Sequence, residues 1–162
     1  MSGFSMVDVG GKDKTRRRAI AAGKILLGPE AYPLVAERRL PKGDALTLAE
    51  IAGIQGAKKT PDLIPLCHPI GLTRVKVKHV LRPQEHAVEV FCLAVITERT
   101  GVEMEALTGA STALLTIWDL SKPIEAALKI DGLRLLYKEC GKSGTWINPE
   151  GLPDEARELL DQ

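Results

Sequence analysis

The pattern of hydrophobic and polar residues along the chain predicts four strands. Residues 73–81 alternate, with Val75 and Val77 on one side and Arg74, Lys76 and Lys78 on the other. This pattern predicts a half-buried strand with one wet or ligand-facing side. A more apolar run at residues 86–98 follows a Pro-Gln turn, so these two segments are predicted to pair as a hairpin. Residues 18–27 and 132–139 are predicted to form the first and last strands.

Three helices are predicted between these strands. A short helix at residues 29–40 ends before a proline, and a second helix at residues 44–59 begins at a Gly-Asp cap. The third helix, at residues 100–122, is the longest, because only Gly109 interrupts good helix formers before Pro123. This long helix carries most of the candidate acid and base groups.

Three features of the long helix bear on function. Its first residues, TGVE, predict a capping box in which Thr100 and Glu103 satisfy each other's backbone N–H groups. Glu105 and Asp119 fall on one polar stripe but lie about 21 Å apart along the axis. One small reacting centre cannot touch both carboxylates of one helix, so either the ligand is long or two chains share the site. The small residues at 109–113 leave a narrow side on which another backbone could approach closely.

The order strand, helix, strand, strand, helix, strand predicts the fold. It is the βαββαβ order of an α+β ferredoxin-like sandwich, an antiparallel sheet with its helices on one face. Residues 1–162 are predicted to form a single domain. Residues 1–12 are predicted to be an N-terminal arm, and residues 147–162 a polar, weakly helical tail to which no function is assigned.

Composition excludes several classes of protein. The 22 Lys and Arg balance 21 Asp and Glu, and only 4% of residues are aromatic, so we expect no nucleic-acid partner. No apolar run approaches the roughly 20 residues that a membrane-spanning helix needs, and we expect no membrane partner. Three cysteines without CxxC spacing, and no recognisable apolar leader, predict a reduced, cytoplasmic protein.

Asp119 and Lys122 are the first candidate for chemistry. Three residues apart on a helix, they can form an ion pair, and spacing alone favours a surface pair of little energetic value. Trp118 and neighbouring leucine and isoleucine residues suggest partial burial. A partly desolvated Lys beside a carboxylate could instead serve as a proton shuttle, and both interpretations stay open here.

Other candidates lie outside the long helix. Prolines at 61, 65 and 69 make TPDLIPLCHP stiff and irregular, which would hold Leu66, Cys67 and His68 firmly, although a single His in a loop is more often structural than catalytic. The arginines at 16–18 could flank a strand or bind an anion. Lys138 and Lys142 flank a glycine turn that could also bind an anion. No metal site is expected, because the three histidines lack paired spacing.

Taken together, several motifs closely resemble one family, cyclic pyranopterin monophosphate synthase, the molybdenum cofactor biosynthesis protein C family. The resemblance runs from about residue 6 to residue 146, and DLIPLCHP and GVEMEALT are its most specific parts. The motifs are KGD at 42–44, AGIQGAKKTPDLIPLCHP at 52–69, TGVEMEALTGAS at 100–111, IWDLSK at 117–122 and GKSG at 141–144.

The resemblance implies an activity and an assembly. Members convert 3′,8-cyclo-7,8-dihydroguanosine 5′-triphosphate to cyclic pyranopterin monophosphate with loss of pyrophosphate, a lyase reaction for which we expect no cofactor. It also implies a ferredoxin-like fold and a homohexamer, a trimer of dimers, in which we expect active sites between subunits. Carried over by position, the implied catalytic groups are Asp119, Lys122, Lys42 and His68. The implied substrate-binding residues are Leu66, Cys67, His68, Met104, Glu105, Arg17, Lys138 and Lys142.

Two positions depart from the family pattern. Pro61 stands where an aromatic residue often precedes DLIP, and Cys140 replaces the first glycine of GGKSG. A non-catalytic ferredoxin-like module that senses a nucleotide is the alternative function. Such a module would keep the basic turn but would not need Asp119 and Lys122 to act together.

Overall fold

The computed structural model describes residues 3–162, apart from the side chain of Lys142. Residues 1 and 2 of the predicted arm, and any phosphate contact of the Lys142 side chain, therefore lie outside the described part. The strands are β1 (Thr15–Leu26), β2 (Arg74–Arg82), β3 (Ala87–Glu98), β4 (Lys129–Cys140) and β5 (Gly144–Ile147). The helices are α1 (Gly28–Ala36), α2 (Ala45–Lys58), α3 (Thr60–Leu63), α4 (Glu103–Ser121) and α5 (Asp154–Asp161).

The five strands form one sheet in the order β2-β3-β1-β4-β5, and every neighbouring pair is antiparallel. The central strand β1 places Ile20 opposite Leu93 of β3 and Tyr137 of β4. The elements β1, α2, β2, β3, α4 and β4 follow the predicted βαββαβ order, so the ferredoxin-like α+β fold is confirmed. The predicted hairpin of β2 and β3 is also present.

Helices α2 and α4 cover one face of the sheet. Alternate residues of β1, such as Ala19 and Ala21, are fully buried beneath them, together with Leu114 of α4. The two helices meet at glycines, and a Cβ placed on Gly53 would lie 3.0 Å from the backbone oxygen of Gly109. The predicted narrow side of the long helix is thus where α2 approaches, and this contact fixes α4 against α2.

The opposite face of the sheet is covered by the C-terminal residues, which were expected to be a polar tail. Leu152, Ala156 and Leu159 are buried against Ile20 and Phe91 of the sheet. The polar side of β2, predicted to be wet or to face a ligand, contacts the same segment. Lys78 Nζ lies 2.5 Å from Glu158 Oε2, and Lys76 Nζ donates to the side chain of Gln162. Residues 147–162 therefore complete the second hydrophobic core.

We predict that Leu159→Ala lowers the free energy of unfolding by about 2–5 kcal/mol, because the side chain is 1% exposed and its removal leaves a cavity. Urea denaturation measures the change. Leu160→Ala, at a partly buried neighbouring position, is the control and should cost less. Equal losses for the two variants would mean that α5 is not anchored through Leu159.

Two local predictions were wrong. The long helix begins with Val102 as its N-cap, and no side chain caps it. Thr100 lies two residues before that cap and lines a pocket, while the Glu103 carboxylate lies 3.4 Å from Lys138 Nζ, so the capping box does not form. The TPDL segment forms the one-turn helix α3, because Pro61 lies in its first turn, where no backbone N–H is needed.

None of the helices in the described part of the chain is long and apolar enough to span a membrane. Among the same residues, no group of three or more His, Cys, Asp or Glu side chains is arranged to hold a metal ion.

Candidate active site

Three charged side chains meet at the C-terminal end of α4. Lys122 Nζ lies 2.7 Å from Asp119 Oδ1. Lys42 Nζ lies 3.4 Å from Asp119 Oδ2 and donates a 3.2 Å hydrogen bond to the Asp119 backbone oxygen. In such an arrangement the carboxylate can accept a proton from a substrate, and either ammonium group can donate one. We call Lys42, Asp119 and Lys122 the helix-end cluster.

Local structure explains how Lys42 reaches this cluster. The loop after α1 turns at Gly43, whose φ of +117° strongly favours glycine. The next residue, Asp44, caps α2 by accepting hydrogen bonds from the backbone N–H groups of Leu46 and Thr47 at 3.0 and 3.1 Å, as the Gly-Asp pattern predicts. Because α2 packs along α4, this start of α2 brings Lys42 beside the end of α4.

The helix-end cluster is exposed in a single chain. The side chains of Asp119 and Lys122 are 53% and 55% exposed, so the predicted partial burial is wrong for this chain alone. The hydrophobic neighbours turn inward instead, and Ile117 and Leu120 are buried in the core. Hydrogen bonding to Lys122, and then to Lys42, lowers the pKa of the Asp119 carboxyl below its ordinary value. Asp119 is therefore ionised at neutral pH.

A second group of candidates lines a cavity of about 350 Å³ at the other end of α4. We call this cavity the arm pocket, because N-terminal arm residues form one of its walls. Two rigid segments supply the opposite walls, the loop between Pro65 and Pro69 and the first turn of α4. All five candidates predicted from these segments line it: Leu66, Cys67, His68, Met104 and Glu105.

Glu105 is the one buried carboxylate in the arm pocket, at 4% exposure. Burial raises the pKa of its carboxyl above the ordinary value, and the charge of Glu103 raises it further. Burial, and then the charge of Glu105, raises the pKa of the Cys67 thiol. No cation among the described side chains pairs with Glu105. A buried carboxyl without a cation is costly to ionise, which is the reason that its pKa is raised.

We predict that Glu105→Gln becomes more stable relative to the native chain as the pH rises. The raised pKa means that the folded native chain binds more protons than the unfolded chain above the ordinary Glu pKa, so its stability falls as pH rises through this window. The amide does not ionise, and the variant escapes this loss. Urea denaturation of both proteins at pH 4 and pH 7 measures the difference in unfolding free energy. A difference that is the same at both pH values would contradict the prediction.

A third group lies beside the arm pocket. A cavity of about 360 Å³, which we call the basic pocket, is lined by Lys12, Arg17 and the acidic Asp13, and also by Thr15, Cys140 and Ser143. Lys12 lines both cavities, so the two adjoin. Arg17 Nε donates a 3.2 Å hydrogen bond to the Glu98 backbone oxygen, which holds the guanidinium at the edge of β3.

The glycine turn after β4 tolerates Cys140. This residue has φ −121°, a negative value that any residue can adopt, whereas Gly141 and Gly144 have φ values of +32° and +77°. The departure from the GGKSG pattern therefore places no strain on the turn. Lys138 lies on β4, two residues before Cys140, and pairs with Glu103, which lines the arm pocket.

The structure thus gathers the candidate residues into two separate regions. Arg17, Lys138 and the five arm-pocket candidates lie near the start of α4, and the helix-end cluster lies near its end. The axial distance between Glu105 and Asp119 is about 21 Å. Sequence reasoning missed Val7 and Lys12, which line the arm pocket from the N-terminal arm. Only a short VDV sequence marked this region.

Comparison with known proteins supports the motif analysis. The model of the MoaC family matches residues 6–141. The chain belongs to the MoaC family. This match covers almost the whole range of the resemblance found in the motifs, and it includes the helix-end cluster and most of the residues that line the two pockets of this MoaC family member.

Three MoaC-type relatives illustrate the similarity. The cyclic pyranopterin monophosphate synthase of Rhodospirillum rubrum is 48% identical over 141 residues, which cover 87% of this chain and 85% of the relative. The enzyme of the same name from Streptomyces avermitilis is 50% identical over 141 residues, covering 87% and 82%. The molybdenum cofactor biosynthesis bifunctional protein of Synechococcus elongatus is 48% identical over 151 residues, covering 93% of this chain and 47% of that protein.

Proposed function

We propose that this chain is a cyclic pyranopterin monophosphate synthase of molybdenum cofactor biosynthesis. In this proposal it is a lyase that converts 3′,8-cyclo-7,8-dihydroguanosine 5′-triphosphate to cyclic pyranopterin monophosphate and releases pyrophosphate. Relatives with that name at 48% and 50% identity support the assignment. The structural observation that carries it is Asp119 held between Lys42 and Lys122 at positions that match the family motifs.

The helix-end cluster suits the proton transfers that this reaction needs. Opening one ring of the substrate and closing another requires protons to be given and taken at several nitrogens. Asp119, ionised because its pKa is lowered, can accept a proton, and the neighbouring ammonium groups of Lys42 and Lys122 can donate one. We assign Asp119 and Lys122 as the acid-base pair, with Lys42 and His68 assisting.

The two adjoining pockets suit the two ends of the substrate. The arm pocket offers apolar and polar walls for the ring system, including Glu105 as an acceptor for ring N–H groups. The basic pocket offers Arg17 for phosphate oxygens, and we assign Lys138 and Lys142 to the same task. Cations placed around a departing pyrophosphate stabilise the charge that develops on it.

We also propose that each active site is shared by two chains. Glu105 and Asp119 are about 21 Å apart within α4, yet both match motifs of one substrate site. A two-fold axis beside α4 would bring Glu105 of one chain to Asp119 of another. Such an interface would cover Leu115, an exposed apolar residue four positions before Asp119. A homohexamer built as a trimer of such dimers is the assembly we propose.

Release of pyrophosphate tests the activity directly. Purified protein supplied with 3′,8-cyclo-7,8-dihydroguanosine 5′-triphosphate should release one pyrophosphate for each cyclic pyranopterin monophosphate formed. Binding of the triphosphate without turnover would instead support the nucleotide-sensing module.

We predict that Lys138→Ala weakens substrate binding at least about tenfold, because a charge-assisted hydrogen bond to phosphate is lost. The loss should shrink as salt rises, since ions screen the exposed ammonium. Isothermal titration with the triphosphate, at two salt concentrations, measures it. Lys129→Ala is a matched control from the other end of β4, where the lysine pairs with Asp131. Equal losses for the triphosphate and an analogue without phosphates would rule out a phosphate contact.

A further inference from the structure

The N-terminal arm forms a wall of the arm pocket and contacts one of its functional candidates. Ser5, Val7, Val9 and Lys12 all line the cavity, opposite the loop that carries His68. The His68 Nε2 atom lies 2.8 Å from the Val7 backbone oxygen. The distance is that of a good hydrogen bond. Because the contact joins residues 61 positions apart, it exists only when the arm is folded over the pocket.

The arm is attached weakly enough to move. Within the described part of the chain, the bond from His68 is the one hydrogen bond that joins residues 3–9 to residues beyond the arm. These residues have no regular secondary structure, and Val7 is 69% exposed. A turn at Gly10 and Gly11 separates them from β1, and the Asp8 carboxylate accepts a 2.8 Å hydrogen bond from the Gly10 N–H. Two consecutive glycines at this position give the arm a hinge.

The bond to Val7 also decides where the His68 ring carries its proton. A backbone carbonyl can only accept a hydrogen bond, so Nε2 must be the protonated nitrogen. In the neutral ring, Nδ1 is then left as an acceptor that can take a proton from a substrate. In metal sites, a backbone carbonyl often fixes the tautomer of a ligating histidine in the same way.

We propose that the arm is a lid whose Val7 carbonyl positions His68. When the arm closes, it fixes the Nε2–H tautomer and covers the pocket that holds Cys67 and Glu105. When it opens at Gly10 and Gly11, substrate and product can pass. The role of the tautomer in turnover rests on the proposed function, but closure of the arm over the pocket does not. A lid of this kind excludes water from the reacting groups.

The covering role is tested by alkylation of Cys67 without substrate. A Cys140→Ser background leaves Cys67 as the one partly exposed thiol, since Cys92 is fully buried. Removing residues 1–9 should raise the rate of iodoacetamide labelling at Cys67 severalfold. Removing residues 1–4 is the control and should leave the rate unchanged, because Phe4 is 99% exposed and does not line the pocket. Equal rates for the two truncations would overturn the lid.

The positioning role is tested by the ring nitrogens of His68. Nitrogen-15 NMR of the full chain should show a protonated Nε2 and an unprotonated Nδ1, and removal of residues 1–9 should give a mixture of tautomers. If the same tautomer persists after truncation, Val7 does not position His68. In turnover assays, the 1–9 truncation should lower kcat severalfold and the 1–4 truncation should not. If the full chain is active and the 1–9 truncation has the same kcat, the positioning role alone is overturned. If the full chain is inactive, the proposed synthase activity is overturned, but the labelling result still tests the lid.

Discussion

Asp119→Asn and Lys122→Ala should each reduce turnover by about 10²–10⁴-fold, the range typical of a lost general acid or base. The amide cannot accept the proton that the ionised carboxylate takes, and alanine removes the ammonium group 2.7 Å away. The fold should survive both changes, because both side chains are more than half exposed. Pyrophosphate release measures turnover, and urea denaturation checks the fold.

A comparable surface pair provides the control for these variants. Lys129 and Asp131 form an exposed ion pair at 3.1 Å, and hydrogen bonding to Lys129 lowers the pKa of Asp131 much as Lys122 does for Asp119. Asp131→Asn should therefore leave turnover unchanged. If Asp119→Asn behaves like Asp131→Asn, the helix-end cluster is an ordinary surface ion pair and the catalytic assignment is wrong.

Mixing two inactive variants should restore about a quarter of native activity if two chains share each site. Glu105→Ala and Asp119→Asn carry defects at opposite ends of α4. After dissociation and random reassembly, half of the dimers contain one chain of each kind. In such a dimer one site carries both defects and the other carries neither, so half of the sites in half of the dimers are intact. Turnover per chain, compared with the native protein treated in the same way, measures the recovery.

Two controls make this mixing experiment decisive. Mass spectrometry of the intact assemblies must show that subunits have exchanged. Mixing Asp119→Asn with Lys122→Ala should give no recovery even if two chains share each site. Both defects lie in the helix-end cluster that one chain contributes to a site, so every site in a mixed dimer keeps one defect. No recovery for Glu105→Ala with Asp119→Asn, with exchange confirmed, would mean that the substrate spans α4 within one chain.

The fold could be predicted from the sequence where local patterns are strong. The alternation at residues 73–81 and the apolar run at 86–98 predicted the hairpin of β2 and β3. The long helix, predicted to end before Pro123, ends at Ser121. The tail was misjudged because its charged residues outnumber its apolar ones. Its buried Leu152, Ala156 and Leu159, at helical spacing, were the available signal.

The candidate site could be predicted only where its residues lie in contiguous motifs. Leu66 to His68 and Met104-Glu105 each form a short segment, and the structure brings both segments to one pocket. The contact between Val7 and His68 joins distant parts of the chain, and it depends on the path of an arm without periodic pattern. The capping box failed for a similar reason, since Glu103 finds Lys138 on β4 rather than a backbone partner in its own helix.

The glycine contact between α2 and α4 limits how this protein could be engineered for heat resistance. Replacing an interior helix glycine with alanine usually stabilises a protein by about 0.4–1 kcal/mol when the new methyl group fits. Here a methyl group on Gly53 would lie 3.0 Å from the Gly109 backbone oxygen, and one on Gly109 would lie 2.5 Å from Cys92 Sγ. Either replacement would force α2 and α4 to shift against each other or against the sheet, since Val77 Cγ2 would also lie 2.8 Å from the methyl group on Gly53. Stabilising substitutions therefore belong on α5 and the second face of the sheet, away from this contact.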